Sequence, residues 1–323
     1  MQGKVLSEHS PTAPVYVGID VCKDWLDIHI LPTGEARRLG NDKDGIRQLK
    51  RMLIKQPPAC IVMEATGKFH RAAYRSLAAD GLAVAIIDPY RARLYAGYCG
   101  YVAKTDRLDA RLLALIAQSG TARPQAPPSA EIETLKELVQ ARSASQAELT
   151  ALKNRLAAAE AAVLRAELKR LLPVLERHIG RLDEQIAALI KADADMRRKV
   201  EILTSIPGIG AITAYTLVAG LSELGQCSNK QAAMLAGLAP IANDSGARNG
   251  PRSIRGGRPA PRQALYMASL SARRHNPPLT RFATALEKAG KPPKVILVAV
   301  MRKLVVLANT LITQNRPWSP NAP

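Results

Sequence analysis

The stretch Val15-Tyr-Val-Gly-Ile-Asp-Val21, followed by Trp25-Leu-Asp-Ile-His-Ile-Leu31, decides how the first third of the chain folds. The first run is short and almost wholly apolar, the pattern of a buried strand. The second alternates apolar and polar residues with period two, so it buries one face. Three residues separate the runs, so they pair as a hairpin. Gly34 to Leu39, after a Pro-Thr-Gly turn, reads as a third strand. Asn41 is the expected N-cap of a helix carrying Ile46, Leu49, Leu53 and Ile54. Ala59-Cys-Ile-Val-Met63 reads as a buried strand ending at Glu64, with a helix following through Tyr74 and Leu77. Ala83 to Ile87 is another strand, stopped by Asp88-Pro89, and a helix from about Asp106 to Gln118 closes the domain. Three strands followed by alternating helices and strands predict a mixed sheet with helices on its faces, an α/β domain over 15–125 behind a loose segment 1–14.

Pro-rich Arg123-Pro-Gln-Ala-Pro-Pro128 marks a boundary. Beyond it, 130–195 is rich in Ala, Leu and Glu. Leu149, Leu152, Leu156, Ala159 and Val163 step 3-4-3-4, and so do Leu175, Ile179, Leu182, Ile186 and Leu189. These are heptad seams, with the bend between two helices expected at Pro173 or its flank. An intramolecular helical hairpin and a dimerising coiled coil fit the seams equally well. Residues 200–323 read as compact helices joined by glycine turns. Two of the helices are a segment from Lys230 to Leu238 and a pair around Arg262–Arg274 and Lys294–Leu311.

Charge narrows the partners. The chain has 323 residues, 47% of them hydrophobic, with a formal net charge of +19 and a pI near 10.1. From Ile241 to Pro323 there are 14 Lys/Arg against two acids, a surplus of 12 out of the +19. A field of that sign and placement favours a polyanion, and nucleic acid is the usual one. Aromatic residues make up 4%, which argues against an aromatic stacking platform for single strands. The four cysteines lie far apart without zinc-ligand spacing, so a reducing cytoplasm is expected, with neither disulfide framework nor zinc site. No positively charged start leads into an apolar run, so no signal peptide is expected. The longest apolar run, Val295 to Ile312, is interrupted by Arg302-Lys303, too soon for a membrane span.

Three sites carry candidate chemistry. Asp106 and Asp109 stand three apart in Lys-Thr-Asp-Arg-Leu-Asp-Ala-Arg, hence as neighbours on one helical face. They either decorate a first turn capped by Thr105 or flank a cation, since two close carboxylates repel. Asp20 sits near the end of the first strand and Glu64 at the end of another. If those strands are neighbours and the helix packs beside them, four carboxylates converge, and only a metal ion could hold them together. Oxygen ligands suit magnesium or manganese, and a pair of such ions clamps the attacking and leaving oxygens of a phosphodiester. The second site is Ile206-Pro-Gly-Ile-Gly210, which has the shape of a helix-hairpin-helix turn. With Pro207 setting the turn, Gly208 and Gly210 would bring backbone N–H groups out toward a phosphate, or the segment is an ordinary tight turn. The third is the Gly- and Arg-rich stretch Ala242 to Arg258, read as a loop without helix or strand pattern. Here Arg248, Arg252, Arg255 and Arg258 are candidate phosphate contacts.

Together these segments resemble a known family. Val-Gly-Ile-Asp20, Met-Glu64-Ala-Thr-Gly, Lys-Thr-Asp106-Arg-Leu-Asp109-Ala-Arg, Ser-Ile-Pro-Gly-Ile-Gly and Gly-Leu-Ala-Pro…Asp-Ser245-Gly…Arg-Gly-Gly, in that order, resemble the DEDD insertion-sequence transposases of the one-ten family. The resemblance runs from about Val15 to Leu311. It implies a RuvC-like, ribonuclease-H-type domain whose Asp20, Glu64, Asp106 and Asp109 bind Mg²⁺, a coiled-coil linker, and a mainly helical C-terminal transposase domain. It implies that Ser245 is a nucleophile forming a covalent phosphoserine link to DNA. It also implies dimers assembling to a tetramer, with acids and serine supplied by different subunits. A structured non-coding bridge RNA would pair with donor and target DNA, in the cytoplasm at the nucleoid. Thr-Gly-Lys68-Phe departs from the family's usual Thr-Gly-Thr-Tyr, which places a lysine near the metal site. Three competing readings remain: a metal-dependent Holliday-junction nuclease, a non-catalytic nucleic-acid scaffold, and an actin-like ATPase, for which no second phosphate loop is found.

Overall fold

The computed structural model describes residues 13–100, 106–246, 250 and 252–320, with backbone alone at 106–108. The segment 1–12, Thr105 and Arg248 lie outside the described residues. The chain divides into two units, Met1–Pro127 and Pro128–Pro323.

The first unit is built from β1 (Tyr16–Val21), β2 (Trp25–Leu31), β3 (Glu35–Gly40), α1 (Lys43–Lys55), β4 (Cys60–Glu64), α2 (Arg71–Ala79), β5 (Val84–Ile87), α3 (Pro89–Tyr98) and α4 (Asp106–Gln118). The strands form one sheet in the order β3-β2-β1-β4-β5. β2 is antiparallel to β1 and to β3, while β1, β4 and β5 run parallel. Strand parity sorts the side chains into two cores. Val17, Ile19, Val21, Ile61 and Met63 pack with Ile46, Leu49 and Leu53 of α1 and with Tyr74 and Leu77 of α2. Cys60, Val62, Ala85 and Ile87 face the other way and pack with Leu112, Leu113 and Ile116 of α4. α4 lies hard against β1 at Gly18, where a Cβ would stand 2.1 Å from the Ala110 carbonyl oxygen and 2.2 Å from the Ala114 nitrogen. Only a residue without a side chain admits the helix at that distance.

Asp42, not Asn41, caps α1, accepting from the Asp44 and Gly45 N–H groups. The Asn41 amide instead donates to the Cys22 and Phe69 carbonyls, tying the end of the hairpin to the turn after β4. The helix α3 had no counterpart in the periodicity, although Asp88 caps it and Pro89 occupies its first turn.

The second unit begins with α5 (Ala130–Ala158) and α6 (Ala162–Ala192), and continues through α7 (Ala194–Ser205), α8 (Ala211–Gly220), α9 (Asn229–Leu235), β6 (Pro240–Ile241), β7 (Ser253–Ile254), α10 (Pro259–His275), α11 (Pro277–Lys288) and α12 (Pro293–Thr313). α5 and α6 form an intramolecular hairpin, crossed by Arg142–Asp183 and Lys153–Glu176 ion pairs. The bend falls at 159–161, not at Pro173, which sits inside α6. Arg165 stabilises the true bend by donating to the Leu156 and Ala159 carbonyls that the end of α5 leaves open. Leu168 and Ile179, on either side of Pro173, are both buried and hold the helix through it. α12 is long and apolar enough by length and composition to cross a membrane. In this unit it is the central core helix, burying Ile296, Val300, Met301, Leu304, Val305 and Leu311.

Candidate active site

The β1–β4 register decides where two of the acids go. Tyr16, Val17, Gly18 and Ile19 pair with Cys60, Ile61, Val62 and Met63, so the next step sets Asp20 beside Glu64. Both point to the face that α4 covers, by parity with Gly18 and Val62. Neighbouring strands are ~4.7–4.9 Å apart, so the two carboxylates share one end of the sheet. Asp109 lies on α4. Gln125, just past α4, donates its N–H to the Val84 carbonyl at the start of β5. The helix therefore starts at the carboxyl ends of the parallel strands and runs back along them, which puts its first turns at the Asp20–Glu64 end. Asp109 stands one residue before the Ala110 turn that rests on Gly18. Asp20, Glu64 and Asp109 are all partly buried. Asp106 begins α4, and its side chain lies outside the described residues. Among the described residues no three acidic, histidine or cysteine side chains form a metal cage. The donor chemistry, hard carboxylate oxygen at one sheet end, fits Mg²⁺ or Mn²⁺.

Sequence reasoning missed the neighbours on that face. Asp27 lies directly opposite Asp20 on β2 and is clamped by Arg38 through two 2.8 Å hydrogen bonds. That pairing offsets the negative charge of Asp27 beside Asp20. His29, two residues on, is held below the usual imidazole value, by burial first and by the positive charge of Arg111 second. The alternation of Trp25 to Leu31 already put Asp27 and His29 on one face; which face required the position of α4. Lys68 sits exposed in the turn after Glu64, where Gly67 has φ +49°.

The helix-hairpin-helix segment joins α7 to α8. Gly208 has φ +106°, and a Cβ there would meet Ala272 of α10 at 2.5 Å. Gly208 thus serves packing as well as the turn. Pro207 lends its carbonyl to Asn276, and Gly210 is exposed at the start of α8.

Ser245 and Gly246 are exposed in the loop between β6 and β7, and Gly246 has φ +53°. The two short strands pair Pro240 with Ile254 and Ile241 with Ser253, so the stretch read as pure loop has a strand pair at its feet. Its base is pinned by backbone contact: a Cβ on Gly257 would stand 2.1 Å from the Gly237 nitrogen. Arg252 and Arg255 are exposed on the same stretch. The Arg258 guanidinium donates to both Glu223 carboxylate oxygens and to the Gly220 carbonyl. It is occupied in anchoring the loop to the α8–α9 connection. Burial pushes the Glu223 carboxyl up, but the hydrogen bonds and charge of Arg258 outweigh it and hold the group below its usual range.

An acid pair at a sheet end, a helix that starts at that end and carries Asp106 and Asp109 in its first turns, and a basic second unit with an exposed Ser-Gly step are features of a DNA-rearranging enzyme. The comparisons give that class its name: a DEDD-type IS110 transposase model matches residues 17–164, and one described as Transposase IS116/IS110/IS902 family matches residues 200–284. The chain belongs to this transposase family. Relatives include a pilin gene-inverting protein of Moraxella bovis, 28% identical across 94% of this chain and 97% of the relative. A transposase for insertion sequence element IS1111A of Coxiella burnetii is 26% identical across 58% of each chain. A probable family 20 transposase of Pseudomonas aeruginosa is 29% identical across 71% of this chain and 75% of that one.

Proposed function

We propose that this transposase is an RNA-guided DNA recombinase that excises and inserts its own mobile element through a phosphoserine link at Ser245. The observation that carries the reading is the Asp20–Glu64 pair in register on adjacent parallel strands, inside the segment matched by the DEDD-type model. The sheet, three antiparallel strands followed by two parallel ones, supports a RuvC-like, ribonuclease-H-type domain. Asp20, Glu64, Asp106 and Asp109 would hold Mg²⁺. When bound, the ion polarises a phosphoryl oxygen and stabilises the charge that develops there.

The rest is done by the chain. The Ser245 hydroxyl attacks the phosphorus; an Oγ–P bond forms, the bond from phosphorus to a deoxyribose oxygen breaks, and the proton ends on the departing hydroxyl. The phosphodiester is exchanged and not hydrolysed, so rejoining to another strand needs no outside energy source. Exposed Arg252 and Arg255 would offset phosphate charge around the serine. The acids lie in the first unit and Ser245 in the second, which accommodates a site completed by two subunits of a dimer within a tetramer. If a bridge RNA selects donor and target by base pairing, the protein need read only backbone and shape, as its basic charge suits. A metal-dependent nuclease would need the acids but not Ser245.

The test places the gene with its native flanks on a plasmid and sequences across any excised circular junction. A junction formed by wild type and lost in Ser245→Ala is the expected result. A junction that persists without the serine overturns the phosphoserine reading in favour of metal-only chemistry.

A further inference from the structure

The overall aromatic content hides a local concentration. Three of the eight tyrosines, Tyr90, Tyr95 and Tyr98, fall within the ten residues of α3. Tyr95 turns inward, its hydroxyl reaching the Leu115 carbonyl of α4. Tyr90, Leu94 and Tyr98 are spaced i, i+4, i+8 on one helical face and are 66%, 57% and 87% exposed. Arg91 and Arg93 flank them, also exposed, and α3 contains no acidic residue. A soluble surface has no use for that much apolar and aromatic area on a helix of ten residues.

Position gives the face its meaning. Glu64 pairs in register with Ile87, the last residue of β5, and Ala65 donates its N–H to the Ile87 carbonyl. Tyr90 is three residues beyond Ile87. The aromatic helix therefore starts at the same end of the sheet as the Asp20–Glu64 pair. From there it extends about 15 Å, the length of ten helical residues.

We propose that the exposed face of α3 binds an unpaired DNA strand beside the scissile phosphate, with Tyr90 and Tyr98 stacking on bases and Arg91 and Arg93 pairing with the backbone. This rests on the recombinase reading, since it takes its substrate from that reaction. Every base has a flat apolar face, so tyrosine stacking tolerates any sequence, whereas a base inside a duplex offers none. The charge around the tyrosines matches phosphate. A strand that must leave one duplex and join another is unpaired at the moment of exchange, and this face would hold it next to the acids.

The experiment measures binding without cleavage. The full chain carrying Asp20→Ala is titrated with a labelled single-stranded DNA, an RNA of the same sequence, and the DNA duplex, followed by fluorescence anisotropy. Adding Tyr90→Ala with Tyr98→Ala should weaken single-stranded DNA binding by on the order of tenfold per stacked base and leave the duplex unchanged. Tyr90→Phe with Tyr98→Phe keeps the ring and should bind as the parent does. Equal loss on duplex and single strand, loss on RNA alone, or no loss would overturn the proposal. So would a change of oligomeric state in the alanine pair, which would mean that a second copy of the chain covers this face. Failure of the recombinase reading would appear separately, as a wild-type protein that forms no junction.

Discussion

Gly18→Ala links the packing of the first unit directly to its chemistry. The new Cβ would stand 2.1 Å from the Ala110 oxygen and 2.2 Å from the Ala114 nitrogen, whereas ordinary contact begins at 3.4 Å. Both atoms are main chain and belong to one turn of α4, so no change of rotamer relieves the clash. The helix must withdraw by about 1.3 Å, an overpacking that costs ~2–3 kcal/mol, the upper part of the usual range. For a unit of this size that lowers its melting transition by roughly 8–12 °C. In the proposed site, the same displacement carries Asp109 away from Asp20 and Glu64. A misplacement of about 1 Å in a catalytic constellation costs on the order of a hundredfold in rate. Circular dichroism melts report the first effect and plasmid strand cleavage at a temperature where the variant is folded reports the second. A Gly18→Ala protein that melts with wild type and cleaves at the wild-type rate would refute this account of how α4 delivers its acids.

Asp109→Ala should abolish strand cleavage while nucleic-acid binding, measured by gel shift, stays within about twofold of wild type, since the basic surface supplies the affinity. The Glu223–Arg258 clamp gives a pH dependence: with the Glu223 carboxyl lowered by folding, its stabilisation is complete above the unfolded value of about 4.3 and is lost as pH falls through the lower folded value. Melts at neutral pH and below pH ~4 should show a smaller acid-induced loss in Glu223→Gln than in wild type. Asn309, buried on α12, donates to the Cys227 carbonyl and accepts from the Gly225 N–H. Asn309→Ala strands both groups and should cost the second unit about 2–4 kcal/mol in denaturant unfolding.

Much of the first unit was legible because strand parity is a local property. Val15 to Val21 and Trp25 to Leu31 announced their periods, and the helix read over Asp106 to Gln118 is α4. The register that sets Asp20 beside Glu64 was not legible; it depends on β4 inserting next to β1, a pairing some forty residues long-range. α3 escaped because its apolar residues fall on two faces, Ala92 and Tyr95 turned inward and Tyr90, Leu94 and Tyr98 outward, so no single core-facing stripe stands out, although the Asp88-Pro89 start signal was present. α11 was missed although Asn276 caps it and Leu279, Phe282, Ala283 and Leu286 have the spacing of one helical face; it is a short helix between two longer ones. Pro173 misled because proline's cost can be met by tertiary packing, whereas the real bend at 159–161 lies among good helix formers and is fixed by Arg165. The role of Arg258 was hidden for a similar reason. Its partner Glu223 lies 35 residues away, and a loop arginine looks the same whether it meets a phosphate or a carboxylate.

The proposed covalent joint between Ser245 and DNA can be trapped. Recombination reactions are quenched in denaturant, the DNA is digested, and the protein is mapped by mass spectrometry for a nucleotide adduct. An adduct on Ser245 is expected in wild type, and none in Ser245→Ala or Asp20→Ala. Cleaved DNA with no adduct, or an adduct on a different residue, would contradict it.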